Sequence, residues 1–226
     1  IITPSHYWKK YLINNMSLDP QKIHVTYEAV TSDFKIPQEV DKKILSKYKL
    51  QKPFIIYTGN LYPHKNVDFL VKAVKQYNKN HHNKVTLALI SARDAFHDKF
   101  STTKHIKPLG YVPDDDLVQL YSQALALVQP SLLEGFGLTG LEAMKFGLPV
   151  LSSSASCLPE VYSDAALYFD PHDQKDFILN LEKVIQDQDL RQELSQKGKK
   201  HVTNFSWKKT ALKTLQAYQQ VLSPQS

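Results

Sequence analysis

Two carboxylates, Glu134 and Glu142, flank a glycine-rich stretch, Glu134-Gly-Phe-Gly-Leu-Thr-Gly-Leu-Glu142. It follows the apolar run Ala124-Leu-Ala-Leu-Val128 and leads into Ala143-Met-Lys-Phe-Gly147. That is the pattern of a strand, a loop and the first turn of a helix. Backbone N–H groups at such a helix start carry partial positive charge and suit an anion, most often a phosphate. Gly135 and Gly137 permit backbone to approach a ligand where a Cβ would collide. Carboxylates repel phosphate but accept hydrogen bonds from hydroxyl groups. The combination implies a phosphate attached to something rich in hydroxyls, and a nucleotide-sugar has that composition.

Plainer readings of the same residues compete. Thr139-Gly-Leu-Glu142 matches a capping box, in which Glu142 would close the helix start on itself and Glu134 would be an exposed loop acid. Gly135-Phe-Gly-Leu-Thr-Gly140 matches the dinucleotide string, but Gln129 to Leu133 separate it from its strand. Leu151 is followed by serines rather than by the acid that grips a ribose, and Glu160 falls in a turn, so NAD is not expected. No Walker A sequence occurs, which argues against a P-loop NTPase. Asp114-Asp115-Asp116 follows Pro113 and reads as a helix start favoured by the dipole, not as a metal site. His81-His82 lies in a polar loop and reads as solvated. Cys157 is read as lacking the helix-start or basic setting of a nucleophile.

The elements that must position these residues alternate. Ile1-Ile-Thr3 reads as a strand end, with a helix from about Ser5 and a short strand pattern at Lys22 to Thr26. Thr31 to Lys52 is polar, with Pro37 and a lysine-rich helix-like stretch. Phe54 to Tyr57 is a buried strand, followed by the loop Thr58-Gly-Asn-Leu-Tyr-Pro-His-Lys65. Asn66 is expected to cap a helix that places Val67, Leu70, Val71 and Val74 on one face. Strands follow at Val85 to Ile90, Ile106 to Val112, Leu125 to Val128, Pro149 to Leu151 and Ala166 to Phe169. Helices are expected at Asp114 to Ser122, after the glycine loop, and at about Asp173–Ile185, Leu190–Val202 and Trp207–Leu222, with a turn at Pro159. Such alternation implies an α/β fold, a Rossmann-like parallel sheet with helices on both faces. Ligands of that architecture bind at the carboxyl ends of strands, where the loops after Tyr57, at Gly110 to Val112 and after Val128 converge.

Composition narrows the class. A chain of 226 residues with 42% hydrophobic content can bury a sizeable core. No window approaches the roughly twenty apolar residues of a spanning helix, and Ile1-Ile-Thr-Pro-Ser5 lacks the charged-then-apolar pattern expected of a leader. The single cysteine excludes an internal disulfide and a cysteine-rich zinc site, and suits a cytoplasmic setting. The formal net charge of +6 is scattered in short clusters such as Lys9-Lys10, Lys42-Lys43 and Lys199-Lys200. A nucleic-acid partner is not expected; peripheral contact with the anionic cytoplasmic face of a membrane is the better fit to that charge.

The spacing of Glu134 and Glu142 resembles the Glu-x7-Glu motif of family 4 (group 1) retaining glycosyltransferases of GT-B fold, and the likeness runs along nearly the whole chain. Tyr57-Thr-Gly-Asn-Leu-Tyr-Pro-His-Lys-Asn66 is similar to the family's first donor loop, and Gly110-Tyr-Val-Pro113 to the segment whose backbone meets the base. Leu158-Pro-Glu-Val161 and Phe205-Ser-Trp207 also resemble family sequences. The resemblance implies that residues 1–34 are the crossover from an N-terminal acceptor domain, a partner missing here. Residues 35–226 would then be the donor-binding domain, the C-terminal half of a GT-B glycosyltransferase that is inactive without the N-terminal half. It implies hexose transfer with retention from a UDP-, GDP- or ADP-sugar, with no cofactor and no metal, in polysaccharide, glycolipid or glycoprotein synthesis. By the same likeness Lys65 neutralises the diphosphate, and Glu134 accepts from hydroxyls of the transferred sugar. Gly59 and Asn60 contribute to the first donor loop, and Gly135, Phe136, Gly137, Leu138 and Thr139 offer backbone to sugar and phosphates. Glu142 holds the ribose, and Tyr111 with Val112 meets the base. Many members carry arginine where this chain has Asn60, and Arg93 is a candidate substitute cation. A non-catalytic nucleotide-sugar-binding module or partner subunit is the alternative.

Overall fold

Ser5, in extended backbone, starts the first helix by accepting a hydrogen bond from Trp8 N at 3.2 Å. The elements here are Ile2–Thr3 (β1), His6–Met16 (α1) and His24–Val25 (β2), with β1 and β2 paired in parallel. The first turn of α1 contains no acid of its own. Glu160 supplies one from far along the chain, accepting from His6 N at 2.7 Å, Tyr7 N at 2.8 Å and the Tyr27 hydroxyl at 2.8 Å. Open N–H groups at a helix start favour such a carboxylate. The computed structural model describes residues 1–31, 37, 39–91 and 99–222. The expected boundary at residues 34 and 35, and Arg93, lie outside these.

The main body continues with Ile44–Lys47 (α2), Phe54–Thr58 (β3), Val67–Asn80 (α3), Thr86–Ile90 (β4), Ile106–Gly110 (β5), Asp114–Tyr121 (α4) and Leu127–Gln129 (β6). It closes with Leu138–Lys145 (α5), Val150–Ser153 (β7), Leu158–Tyr162 (α6), Ala166–Phe169 (β8), Gln174–Gln186 (α7), Gln188–Val202 (α8) and Trp207–Leu222 (α9). Six strands form one parallel sheet in the order β5-β4-β3-β6-β7-β8. This is the doubly wound order, in which the chain starts at a central strand, builds one half and returns to build the other.

Alternation along β3 shows how the layers form. Phe54 and Ile56 face a core shared with Leu117 and Leu120 of α4 and Leu141 and Met144 of α5. Ile55 and Tyr57 face the opposite core, with Leu70 and Val74 of α3 and Phe177 and Leu181 of α7. Phe54, Ile55 and Ile56 are fully buried, and each contributes about 1.5–3 kcal/mol of hydrophobic stabilisation.

Several local expectations need correction. Asn66 stands at the N-cap of α3 but in left-handed backbone, and its side chain does not cap. It donates instead to Pro130 O at 3.2 Å and Pro171 O at 2.9 Å, tying loops together. The turn expected at Pro159 is the start of α6, with proline at its favoured first positions and Cys157 at the N-cap. His81 is not freely solvated: its ring stacks on Tyr77 at 4.2 Å. Asp114, Asp115 and Asp116 do open α4, where Asp116 accepts from Lys47 Nζ at 2.5 Å and from the Tyr48 hydroxyl. These two hydrogen bonds hold the Asp116 carboxyl below the ordinary range. Among the described residues, no helix is long and apolar enough to cross a membrane.

Candidate active site

The switch in winding lies between β3 and β6, neighbours in the sheet whose chains then run to opposite halves. Loops leaving two such strands diverge and open a crevice between them. The loop after β3 carries Gly59 to Lys65 and the loop after β6 carries Pro130 to Gly137. Leu132 N donates to His64 O at 2.8 Å, which fastens one loop to the other. Across the crevice Lys65 Nζ donates to both carboxylate oxygens of Glu134, each at 2.8 Å. The structure thus brings together two of the residues singled out in the sequence, from segments 69 positions apart.

Glu134 is 7% exposed, so the loop-acid reading does not hold. A carboxylate so buried requires partners, and the chain supplies them. Besides Lys65, Oε1 accepts from Gln129 Nε2 at 2.5 Å and Ser131 Oγ at 2.6 Å. The backbone is fixed as firmly. Its carbonyl accepts from Trp8 Nε1 at 2.9 Å, Ser156 Oγ at 3.1 Å and Cys157 Sγ at 3.3 Å. Gln129, Ser131, Trp8 and Ser156 escaped the reading of the sequence. The polar Gln129 ending an apolar strand, and Ser131 two residues on, were the available signal.

The glycine loop then turns into α5. Gly137, in left-handed backbone at φ +102°, is the N-cap, and no side chain caps the helix. Gly140 N donates to Gly137 O at 3.2 Å, and the N–H groups of Leu138 and Thr139 ahead of it are left to suit an anion. The capping-box reading fails, because Thr139 Oγ1 donates to Gln129 Oε1 at 2.8 Å rather than closing the helix with Glu142. Glycine is required at Gly137 by its φ and by Tyr162 and Leu158, which a Cβ would strike at 2.6 and 2.9 Å. At Gly135 a Cβ would meet nothing within 4 Å, so the protein itself does not demand glycine there. Phe136 is buried, its ring packed on Tyr27 at 5.7 Å and Phe205 at 5.8 Å, which leaves only its backbone for the crevice.

Glu142 differs from Glu134. It is half-buried on α5, and no described residue donates a hydrogen bond to its carboxylate. Burial first, then the nearby Asp114, raises its pKa, with Lys145 opposing. A carboxylate held under such stress beside a cleft is a functional candidate. After β5, Tyr111 projects outward at 71% exposure while the Val112 side chain is buried in the core. Only the Val112 backbone is left for a ligand. Asn60 turns back on its own loop: its Oδ1 accepts from Tyr62 N at 3.4 Å and its carbonyl from the Tyr57 hydroxyl. Cys157 does sit at a helix start, contrary to expectation, but it is fully buried and desolvation pushes its thiol up to about 11. Among the described residues no three His, Cys, Asp or Glu side chains could hold a metal ion.

A doubly wound sheet with an uncapped helix start and flanking carboxylates at its switch point is an arrangement in which α/β domains hold ligands. The sequence agrees: residues 38–201 match the family described as glycosyl transferases group 1, and the chain belongs to that family. It is 32% identical over 228 residues to O-antigen chain mannosyltransferase B of Escherichia coli, covering 96% of this chain and 60% of that protein. Among solved structures, a glycosyltransferase from Rickettsia africae superposes with a TM-score of 0.84 at 20% identity, covering 98% of this chain and 63% of the other. Anabaena HepE in complex with UDP and glucose superposes at 0.77 and 17% identity, covering 99% and 62%. The fold is the Rossmann-like half of a GT-B glycosyltransferase. This chain spans somewhat under two thirds of the length of these relatives.

Proposed function

We propose that this chain is the donor-binding half of a retaining mannosyltransferase that uses a nucleoside-diphosphate mannose to extend a cell-surface glycan. The observation that carries the reading is the Lys65–Glu134 pair at the switch point, 2.8 Å across the crevice and beside the open start of α5. In this reading the diphosphate lies at that helix start, and Lys65, still paired with Glu134, turns its third N–H to it as charge builds on the departing oxygen. Preorganised positive charge at a developing anion is a large catalytic term. The bond from the anomeric carbon to the diphosphate breaks and its electron pair leaves with the nucleotide. The acceptor oxygen bonds the anomeric carbon on the same face and its proton passes to the departing diphosphate oxygen. Glu134 orients the sugar through a hydroxyl, Glu142 takes ribose hydroxyls, and the backbone at Tyr111 and Val112 meets the base. Gly59, Gly135, Gly137, Leu138 and Thr139 supply main-chain contacts.

The mannosyl specificity follows the E. coli relative, named as a mannosyltransferase. The nucleotide-sugar class is supported by HepE, solved with UDP and glucose. The reading asks for an acceptor domain from outside this chain, a cytoplasmic site of action with peripheral membrane contact, and no metal. The non-catalytic alternative draws on Asn60, whose side chain is neutral and engaged within its own loop. With both halves of the enzyme present, Lys65→Ala or Glu134→Ala should abolish mannose transfer to a glycan acceptor while the fold persists. Normal turnover in either variant would remove these residues from the mechanism.

A further inference from the structure

The two oxygens of Glu134 are not equivalent. Oε1 accepts from Lys65, Gln129 and Ser131, whereas Oε2 accepts from Lys65 at 2.8 Å and from no other described residue. A carboxylate offers about four acceptor positions in all, so Oε1 is filled and Oε2 retains one.

The asymmetry is built by Gln129, which is 3% exposed at the end of β6. Its amide is fixed from both sides. Thr139 Oγ1 donates to Gln129 Oε1 at 2.8 Å, so Nε2 must point the other way, to Glu134 Oε1 at 2.5 Å and Ser131 Oγ at 3.3 Å. A flipped amide would set its oxygen against the carboxylate. Ser131 is itself held from behind by Ser153, whose hydroxyl donates to Ser131 O at 2.6 Å. The carboxylate plane of Glu134 is thereby locked through β6, α5 and β7.

Resting on the donor reading above, we infer that Gln129 is a positioning residue for the transferred sugar. By filling Oε1 it leaves Oε2 as the acceptor that meets the donor, and the sugar is read through one hydroxyl rather than a chelated pair.

The experiment is a set of calorimetric titrations of this chain with GDP, GDP-mannose, UDP and UDP-glucose, for the native sequence, Gln129→Leu and Thr139→Val. Gln129→Leu keeps the buried volume and removes the amide. It should weaken the sugar-nucleotide by about tenfold, the scale of one hydrogen bond to a charged group. The parent nucleoside diphosphate should change by less than about twofold, since only the sugar meets Oε2. Thr139→Val, which frees the amide to turn, should act in the same direction with a smaller effect. In a Glu134→Gln background, Gln129→Leu should add nothing further. Among monodeoxy forms of GDP-mannose, one alone should lose its dependence on Gln129. Equal loss of diphosphate and sugar-nucleotide would show that Gln129 only supports the loop. Dependence shared by two hydroxyls would overturn the single-contact reading. Failure of the native chain to bind any of the four would instead count against the donor reading itself.

Discussion

Glu134 and Glu142 bracket one loop, yet the fold treats them in opposite ways. Glu134 is almost fully buried and met by Lys65, Gln129 and Ser131. Glu142 is less buried, receives no hydrogen bond from a described residue, and carries a raised pKa. The protein finishes one carboxylate in all but a single acceptor position on Oε2; the other is left for something else to finish. The contrast locates fixed geometry at Glu134 and unsatisfied acceptor capacity at Glu142.

The largest expected effect comes from breaking the finished end. Lys65→Met strands Glu134 as a buried carboxylate without its cation, and losing one partner of a buried pair costs about 3–5 kcal/mol. Denaturant unfolding should show that loss, and adding Glu134→Gln should restore part of it. A second change tests the loop between the two acids. A Cβ on Gly140 would lie 2.3 Å from the Tyr162 ring and hydroxyl, and that ring is fully buried with its hydroxyl donating to Gly137 O at 2.7 Å. Gly140→Ala should therefore cost about 1–3 kcal/mol by overpacking, seen as a lowered melting temperature.

The unfinished end should behave the other way. Because the folded-state pKa of Glu142 is raised, the fold holds its proton more tightly than the unfolded chain does. The destabilisation is absent below the ordinary glutamate value of 4.5 and grows as pH rises through the raised one. Glu142→Gln should remove this component of the pH dependence and leave the protein at least as stable at neutral pH. Nucleoside-diphosphate affinity should nonetheless fall about tenfold, equivalent to 1.4 kcal/mol. A parallel fall in stability would erase the contrast between the two acids. The smallest change is Trp8→Phe, which removes one of the donors to the Glu134 carbonyl. It should cost about 0.5–1.5 kcal/mol of stability and leave diphosphate binding at the Glu142 end untouched, as read by the same titration.

The sheet was legible because β3 and β4 are mostly apolar runs bounded by polar loops, and Ala166–Phe169 was bounded correctly to the residue. The crevice was legible because the loop after β3 and the glycine loop each leave a strand end. What escaped depends on contacts with no local pattern. Trp8 meets Glu134 across 126 positions, and Glu160 caps α1 across 154. Asn66 has the residue type of a cap, but its left-handed backbone turns the side chain to Pro130 and Pro171. The capping box at Thr139 failed for a similar reason, since a better partner, Gln129, stands across the loop.

The most direct test of the central claim is a calorimetric titration of this chain with GDP, UDP and ADP, repeated with Glu142→Ala. At least one nucleoside diphosphate is expected to bind, and the substitution to weaken it about tenfold or more without unfolding the protein. Binding unaltered by Glu142→Ala would put the nucleotide somewhere other than this loop. No binding by the folded native chain would contradict the assignment of the crevice as a nucleotide-sugar site.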